Sequence, residues 1–176
     1  MPYFLSSIKP HCSEICVVVN EFLTPDGKKK LEAHSDKLLI RKNKGLDAEA
    51  YKQAILDYGY EKLKEFDDLL LANFTIFGPV YDFNEMFEKM DNADCDWWGV
   101  YKSPQPSPIK YDHIPSFFVN YKKNIFHSED FKNYWETLED INTYSDSVTF
   151  HEQRQTPYYD NLGYKNATFL DYTKYK

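Results

Sequence analysis

One polar loop in the sequence carries side chains that could hold a nucleotide. Arg41, Asn43 and Asp47 offer hydrogen-bonding groups suited to a base or a ribose. Gly45 lies among them, and a residue without a side chain lets the backbone come close to a ligand. The alternative is an ordinary loop in which Asp47 caps the following helix. The pattern alone leaves both interpretations open.

A second polar group, Asn73 and Thr75, follows the most apolar run of the chain. Polar groups at strand ends bind phosphates or metals in many α/β proteins. A divalent ion prefers carboxylate oxygens, which this segment lacks. Metal binding here would need Asp67, Asp68 or Asp82. Simple termination of the strand is the alternative to binding.

The third group could move a proton. It consists of His113 and Ser116, and of the adjacent His151 and Glu152. A carboxylate near a histidine can act as the base that deprotonates an acceptor hydroxyl. A solvated helix face is the alternative, because adjacent residues on a helix do not face one another.

Alternating strands and helices are predicted to position these groups. Short apolar blocks predict the strands, and helix spacing together with Ser128 as a cap predicts the helices between them. The order indicates one α/β domain, residues 1–176, with a mainly parallel sheet whose ligands lie outside the carboxyl ends of the strands. The predicted strands are Glu14 to Asn20, Leu38 to Ile40, Asp68 to Asn73, Asp96 to Tyr101, Phe117 to Tyr121 and Thr168 to Leu170. The main predicted helices are Lys28 to His34, Ala48 to Tyr58, Phe83 to Met90, Glu129 to Leu138 and Val148 to Leu162. A proline-rich flap or spacer is predicted at Pro104 to Pro108.

Composition narrows the class of partner. A formal net charge of −7 disfavours nucleic acid, which is bound through clustered Lys and Arg. Three cysteines without metal-type spacing, and no leader segment, favour the cytosol. No apolar run approaches the roughly 20 residues that span a bilayer. We therefore expect membrane association, where it occurs, to be peripheral. Aromatic residues make up 18% of the chain and predict a ring-rich core.

The order of these groups resembles a known family. The segments VVVN (Val17 to Asn20), RKNKGLD (Arg41 to Asp47) and LLLANFTIFGP (Leu69 to Pro79) occur in this order in rhamnan synthesis protein F and its relatives. The likeness continues through three further segments: FEKMDNADCDWWG (Phe87 to Gly99), HIPSFFVNYKKNIFHSEDFKNYWE (His113 to Glu136) and FHEQRQTPYYDNLGY (Phe150 to Tyr164). It covers nearly the whole chain.

The resemblance implies a GT-A-like, Rossmann-like fold that lacks the family's first strand. It also implies a glycosyltransferase that uses a nucleotide sugar, dTDP-rhamnose, and a polysaccharide or lipid-linked acceptor at the cytoplasmic face of the membrane. In this family Asn20 and the loop from Arg41 to Asp47 would border the nucleotide, and Asn73 and Thr75 the diphosphate. His113, Ser116 and Glu152 would face the sugar or acceptor, with His113 and Glu152 catalytic.

One departure bears on the cofactor. The family carries Asn-Asp-Ser where this chain has Asn73, Phe74 and Thr75. The resemblance implies Mn²⁺ or Mg²⁺ as cofactor, but Phe74 occupies the acidic position, which argues against a metal. The alternative function is therefore a catalytically silent relative that binds a glycan or a partner glycosyltransferase.

Overall fold

The computed structural model describes residues 1–75, 78–104 and 112–171. Its strands are β1 (Cys16–Asn20), β2 (Lys37–Arg41), β3 (Asp68–Ala72), β4 (Trp97–Gly99), β5 (Phe118–Lys122) and β6 (Asn166–Thr168). Its α-helices are α1 (Pro2–Ile8), α2 (Pro25–Glu32), α3 (Leu46–Tyr58), α4 (Tyr60–Leu63), α5 (Asn84–Asp91), α6 (Lys123–Phe126), α7 (Glu129–Glu136), α8 (Tyr144–Asp146) and α9 (Gln153–Asn161). A 3₁₀ turn (Lys9–His11) follows α1, and a π-helical segment (Ser147–Glu152) precedes α9. Most of the proline-rich segment predicted as a flap lies outside the described residues.

The strands form two separate sheets. β1 and β2 pair in parallel, and the other four strands follow the order β3-β5-β4-β6. In the second sheet β5 is antiparallel to both β3 and β4, while β4 and β6 are parallel. The chain is thus mixed α/β. The prediction of a mainly parallel sheet is wrong, because β5 runs antiparallel to both of its neighbours. Apolar runs do not report strand direction, because a strand covered on both faces reads alike in either pairing.

Two apolar clusters cover the two faces of the four-stranded sheet. Adjacent residues of β4 enter different clusters, Trp97 one and Trp98 the other, as the alternation of a strand requires. Around Trp97 the packing is aromatic, with Tyr121 stacked at 6.0 Å between ring centroids and Tyr159 at 5.8 Å. The predicted ring-rich core is confirmed.

Local capping explains where the helices begin. Ser128 accepts a hydrogen bond from the Phe131 amide at 3.2 Å, which confirms it as the cap of α7. Asp47 is not the cap of α3. Gly45 is the N-cap residue with a φ of +80°, and a Cβ there would lie 2.4 Å from the Cβ of Glu49. Glycine is therefore required at this position by the close approach of its own helix.

The predicted helix from Val148 to Leu162 consists of two parts. The π-helical segment runs from Ser147 to Glu152, and α9 continues to Asn161. Thr143 and Asp146 form a reciprocal capping box at the start of this region. Every helix within residues 1–75, 78–104 and 112–171 is too short or too polar to span a bilayer.

Candidate functional site

A cavity of about 1210 Å³ lies between the two sheets. We call it the inter-sheet cavity; residues 15–20 and 67–75, which contain β1 and β3, both line it along their length. One end lies where β1 and β3 finish, next to the loop that follows β2. The polar residues at that end are Asn20, Asn43, Asp47, Asn73 and Thr75, which together we call the cavity mouth. The structure thus brings together five residues that were predicted from separate segments.

Hydrogen bonds fix the side chains at one side of the cavity mouth. The Asn73 amide nitrogen donates to Asp47 Oδ2 at 2.6 Å. The backbone N–H and the hydroxyl of Thr75 donate to Asn73 Oδ1 at 3.0 and 2.5 Å. Partial burial raises the pKa of the Asp47 carboxyl, and the bond from Asn73 opposes that rise. Asn73 therefore joins the strand end of β3 to the first turn of α3.

Arg41 and Gly45 have supporting positions and do not line the cavity. Arg41 Nη1 donates to Asn20 Oδ1 at 2.6 Å, and Nη2 donates to the Lys44 carbonyl. The guanidinium thus holds both the end of β1 and the loop that leads to Gly45.

A second group of side chains meets at Glu152, and we call it the Glu152 cluster: Glu152, His113 and Ser116. His113 Nε2 lies 3.1 Å from Glu152 Oε1 and must be the donor, because a carboxylate only accepts. The Ser116 hydroxyl and backbone N–H donate to Oε2 at 3.2 and 3.4 Å. Burial raises the pKa of Glu152, but these hydrogen bonds and the charge of His113 outweigh it, so the net pKa is lowered. Glu152 is ionised at neutral pH.

Two adjacent side chains of the π-helical segment lie in different environments. Glu152 reaches the cluster just described, while His151 is buried among aromatic rings. The Tyr134 hydroxyl lies 2.9 Å from His151 Nδ1 and 3.1 Å from the His151 carbonyl oxygen. Burial lowers the pKa of His151 to about 4, and the charge of Arg154 acts in the same direction while that of Glu152 opposes it. His151 is therefore a neutral core residue.

Tyr51 connects the two polar groups. It lines the inter-sheet cavity, and its hydroxyl donates to the Ser116 carbonyl at 3.3 Å. Burial raises the pKa of Tyr51 well above its usual range, and the nearby carboxylates of Asp47 and Glu152 raise it further. Both carboxylates thus lie within electrostatic reach of one hydroxyl. Helix spacing of Ala50, Ala54 and Ile55 indicates the buried face of α3, but nothing in the sequence singles out Tyr51 on it.

Comparison with known proteins decides the family. The model of the family described as rhamnan synthesis protein F matches residues 15–176. The chain belongs to the rhamnan synthesis protein F family. Membership confirms the family that the motif order indicated and ties the chain to polysaccharide synthesis. Neither the curated proteins nor the solved structures that were searched gave a match.

The side chains of this rhamnan synthesis protein F chain that could ligate a metal ion do not form a complete metal site by themselves. Asp47 is the one carboxylate of the cavity mouth, and Phe74, which follows Asn73 in the chain, is 73% exposed. Asp68 begins β3, at the end of the strand away from Asn73, and bonds to Asn120 at 2.9 Å. Among residues 1–75, 78–104 and 112–171, no three His, Cys, Asp or Glu side chains gather to hold an ion.

The buried histidine His151 should make the free energy of unfolding depend on pH in a specific way. Folded His151 has a pKa of about 4, whereas an unfolded histidine titrates near 6.5. The unfolded state therefore binds more protons between these values, and the free energy of unfolding falls as pH drops from about 6.5 to about 4. We expect His151→Phe to remove about 2 kcal/mol of the difference in unfolding free energy between pH 7 and pH 4.5.

Urea unfolding at the two pH values measures this difference directly. His34→Asn, at a partly exposed position, controls for the loss of one histidine. A pH dependence that is the same in His151→Phe and wild type would contradict the assignment of a neutral buried imidazole.

Proposed function

We propose that the chain transfers a sugar, rhamnose from dTDP-rhamnose, to a polysaccharide or lipid-linked acceptor at the cytoplasmic face of the membrane. The observation that carries the proposal is the convergence of three strand ends on the cavity mouth. β1 supplies Asn20, β2 leads to Asn43 and Asp47, and β3 leads to Asn73 and Thr75. Open α/β sheets bind ligands in the crevice outside the carboxyl ends of their strands.

The side chains of the cavity mouth offer hydrogen-bonding groups that match those of the nucleotide sugar. Asn20 and Asn43 present amide groups that can both donate to and accept from a base. Asp47 accepts hydrogen bonds from ribose or sugar hydroxyls. Asn73 and Thr75 form one hydrogen-bonded turn after β3, at the place that the family resemblance assigns to the diphosphate. No cation in this arrangement is required to hold the base or the ribose.

Glu152 is proposed as the base that activates the acceptor. Its low pKa keeps it ionised at neutral pH, and its side chain is 28% exposed, so a hydroxyl can approach it. The acceptor proton passes to Glu152 as the acceptor oxygen bonds to the anomeric carbon. The bond from that carbon to the nucleoside diphosphate breaks at the same time, and the diphosphate leaves with the electron pair. His113 and Ser116 orient the carboxylate.

A catalytically silent, glycan-binding relative is the second candidate, and one observation favours it. Phe74 and Tyr144 both line the inter-sheet cavity, and the two residues are 73% and 78% exposed. Exposed aromatic rings at a polar opening offer apolar faces on which sugar rings can pack. This candidate predicts glycan binding without turnover.

Removing the proposed base should separate these two functions. Glu152→Gln keeps the shape and both hydrogen bonds from Ser116 but cannot take a proton. We expect kcat for sugar transfer to fall by on the order of 100-fold or more, with the melting temperature and donor affinity near wild type. Glu139→Gln, at an exposed position, is the matched control. Unchanged turnover in Glu152→Gln would remove the base from this residue, and absent turnover in wild type would favour the silent relative.

The residue at the family's acidic position should control the response to metal. Because Phe74 offers no oxygen, we expect Mn²⁺ or Mg²⁺ to change the affinity of wild type for dTDP by less than about twofold. Phe74→Asp adds a hard ligand next to Asn73, the hydrogen-bond partner of Asp47, and should make dTDP binding metal-dependent, while Phe74→Asn is the neutral control. Calorimetry with and without Mn²⁺ measures this. Strong metal dependence in wild type, unaltered in Phe74→Asp, would place the metal position elsewhere.

A further inference from the structure

The inter-sheet cavity separates two strand edges that have no partner strand. Within the described residues β1 pairs with β2 alone, and β3 pairs with β5 alone. The free edges of both strands line the same cavity. Each edge is a row of backbone N–H and C=O groups that can pair with another strand.

The pairing registers show which backbone groups these are. In β1 the flanking residues Ile15 and Glu21 bond to the β2 side, so the residues between them alternate and Cys16, Val18 and Asn20 point the other way. In β3 the bond from the Asn73 N–H to the Phe117 carbonyl sets the alternation with β5. The residues of β3 that point away from β5 are Asp68, Leu70 and Ala72.

Helices cover both faces of the space between these edges. On one face α3 contributes Ala54 and Ile55 to the lining. On the other face Leu5 and Ile8 of α1 and Phe87 of α5 line the cavity. A strand between β1 and β3 would thus be buried on both faces, which calls for a continuous apolar run and not for an alternating one.

The end of the cavity away from the mouth is acidic. Glu14, Glu65, Asp67 and Asp68 line it, and no Lys or Arg lines the cavity in the part of the chain that the structure describes. Lys62 and Lys123, which lie outside the cavity, pair with Glu65 and Asp67. Among the described residues the carboxylates at this end that form no ion pair are Glu14 and Asp68. An occupant that enters this end would gain from a positive charge there.

We propose that the inter-sheet cavity receives an extended segment of another polypeptide, five or six apolar residues with Lys or Arg at the end that meets Glu14 and Asp68. The added strand would pair with β1 and β3 together and complete one seven-stranded sheet. A lipid tail would fill the apolar volume but would leave both rows of backbone groups unpaired. The nucleotide sugar and the proposed segment would occupy different places, because the cavity mouth lies at the strand ends whereas the segment would lie between the strands.

A synthetic peptide tests the proposal on the whole chain. The probe is an acetylated, amidated octapeptide of two lysines followed by six valines and isoleucines. The control peptide has the same residues with N-methyl groups at alternate positions, which removes the donors along one edge. Amide hydrogen exchange is measured by NMR with each peptide and with farnesyl phosphate.

We expect the first peptide to slow exchange at least tenfold at the amides of Val18, Asn20, Leu70 and Ala72. The Val17 amide, which points to β2, is the internal control and should change little. Val18→Pro removes a donor that faces the cavity but none that faces β2, so this variant should keep its fold and lose the protection. Asp68→Asn should weaken binding of the lysine-bearing peptide, whereas Asp67→Asn, at a carboxylate already paired with Lys123, should have the smaller effect.

Three results would overturn the proposal. One is the absence of slowing at millimolar peptide in wild type. Another is equal protection by the N-methylated peptide, which would show apolar filling without strand pairing. The third is protection by farnesyl phosphate and not by the peptide, which would make the cavity a lipid site. None of these results depends on whether Glu152 is a catalytic base.

Discussion

Helix α3 is the physical link on which the arrangement of the site depends, because the two sheets do not pair with each other. Ile55 of α3 packs in the same apolar cluster as Leu71 of β3. Three hydrogen bonds tie α3 to later segments of the chain: Asp47 accepts from Asn73, Tyr51 donates to the Ser116 carbonyl and Lys52 donates to the Leu138 carbonyl. The helix therefore sets the distance between the strand ends and the Glu152 cluster.

The second constraint is the buried packing that orients Glu152. His151 is held by Tyr134 in an aromatic environment, and the π-helical segment then turns the next side chain toward His113 and Ser116. Thr156, one turn farther along α9, accepts the Ile114 N–H at 2.9 Å and fixes the segment that carries His113. His151 is neutral because burial dominates its pKa. Glu152 is ionised because its hydrogen bonds and the charge of His113 outweigh the effect of burial.

Local signals in the sequence predicted much of the fold, and tertiary pairing decided the rest. The apolar block before Asn20 and the cap at Ser128 are local features, and both are confirmed. The separation of the sheets, the direction of β5 and the π-helical segment depend on contacts between distant segments, so periodicity does not report them. The same holds for the site. The strand-end rule pointed to Asn73 and Thr75, and the family resemblance pointed to Asn20 and the loop from Arg41 to Asp47. That residues from these segments line one cavity, that Arg41 and Gly45 only support it, and that Tyr51 links it to Ser116 required the structure.

Whether the cavity mouth holds the nucleotide sugar is measured by NMR titration of the labelled chain with dTDP-rhamnose. We expect saturable shifts of the amide signals of Asn20, Asn43, Asp47 and Thr75 and of the side-chain amide of Asn73. Signals of α7, which is remote from the mouth in the chain and does not line the inter-sheet cavity, should stay in place. Saturable shifts confined to other parts of the chain, or no shifts at millimolar donor, would contradict binding at the cavity mouth.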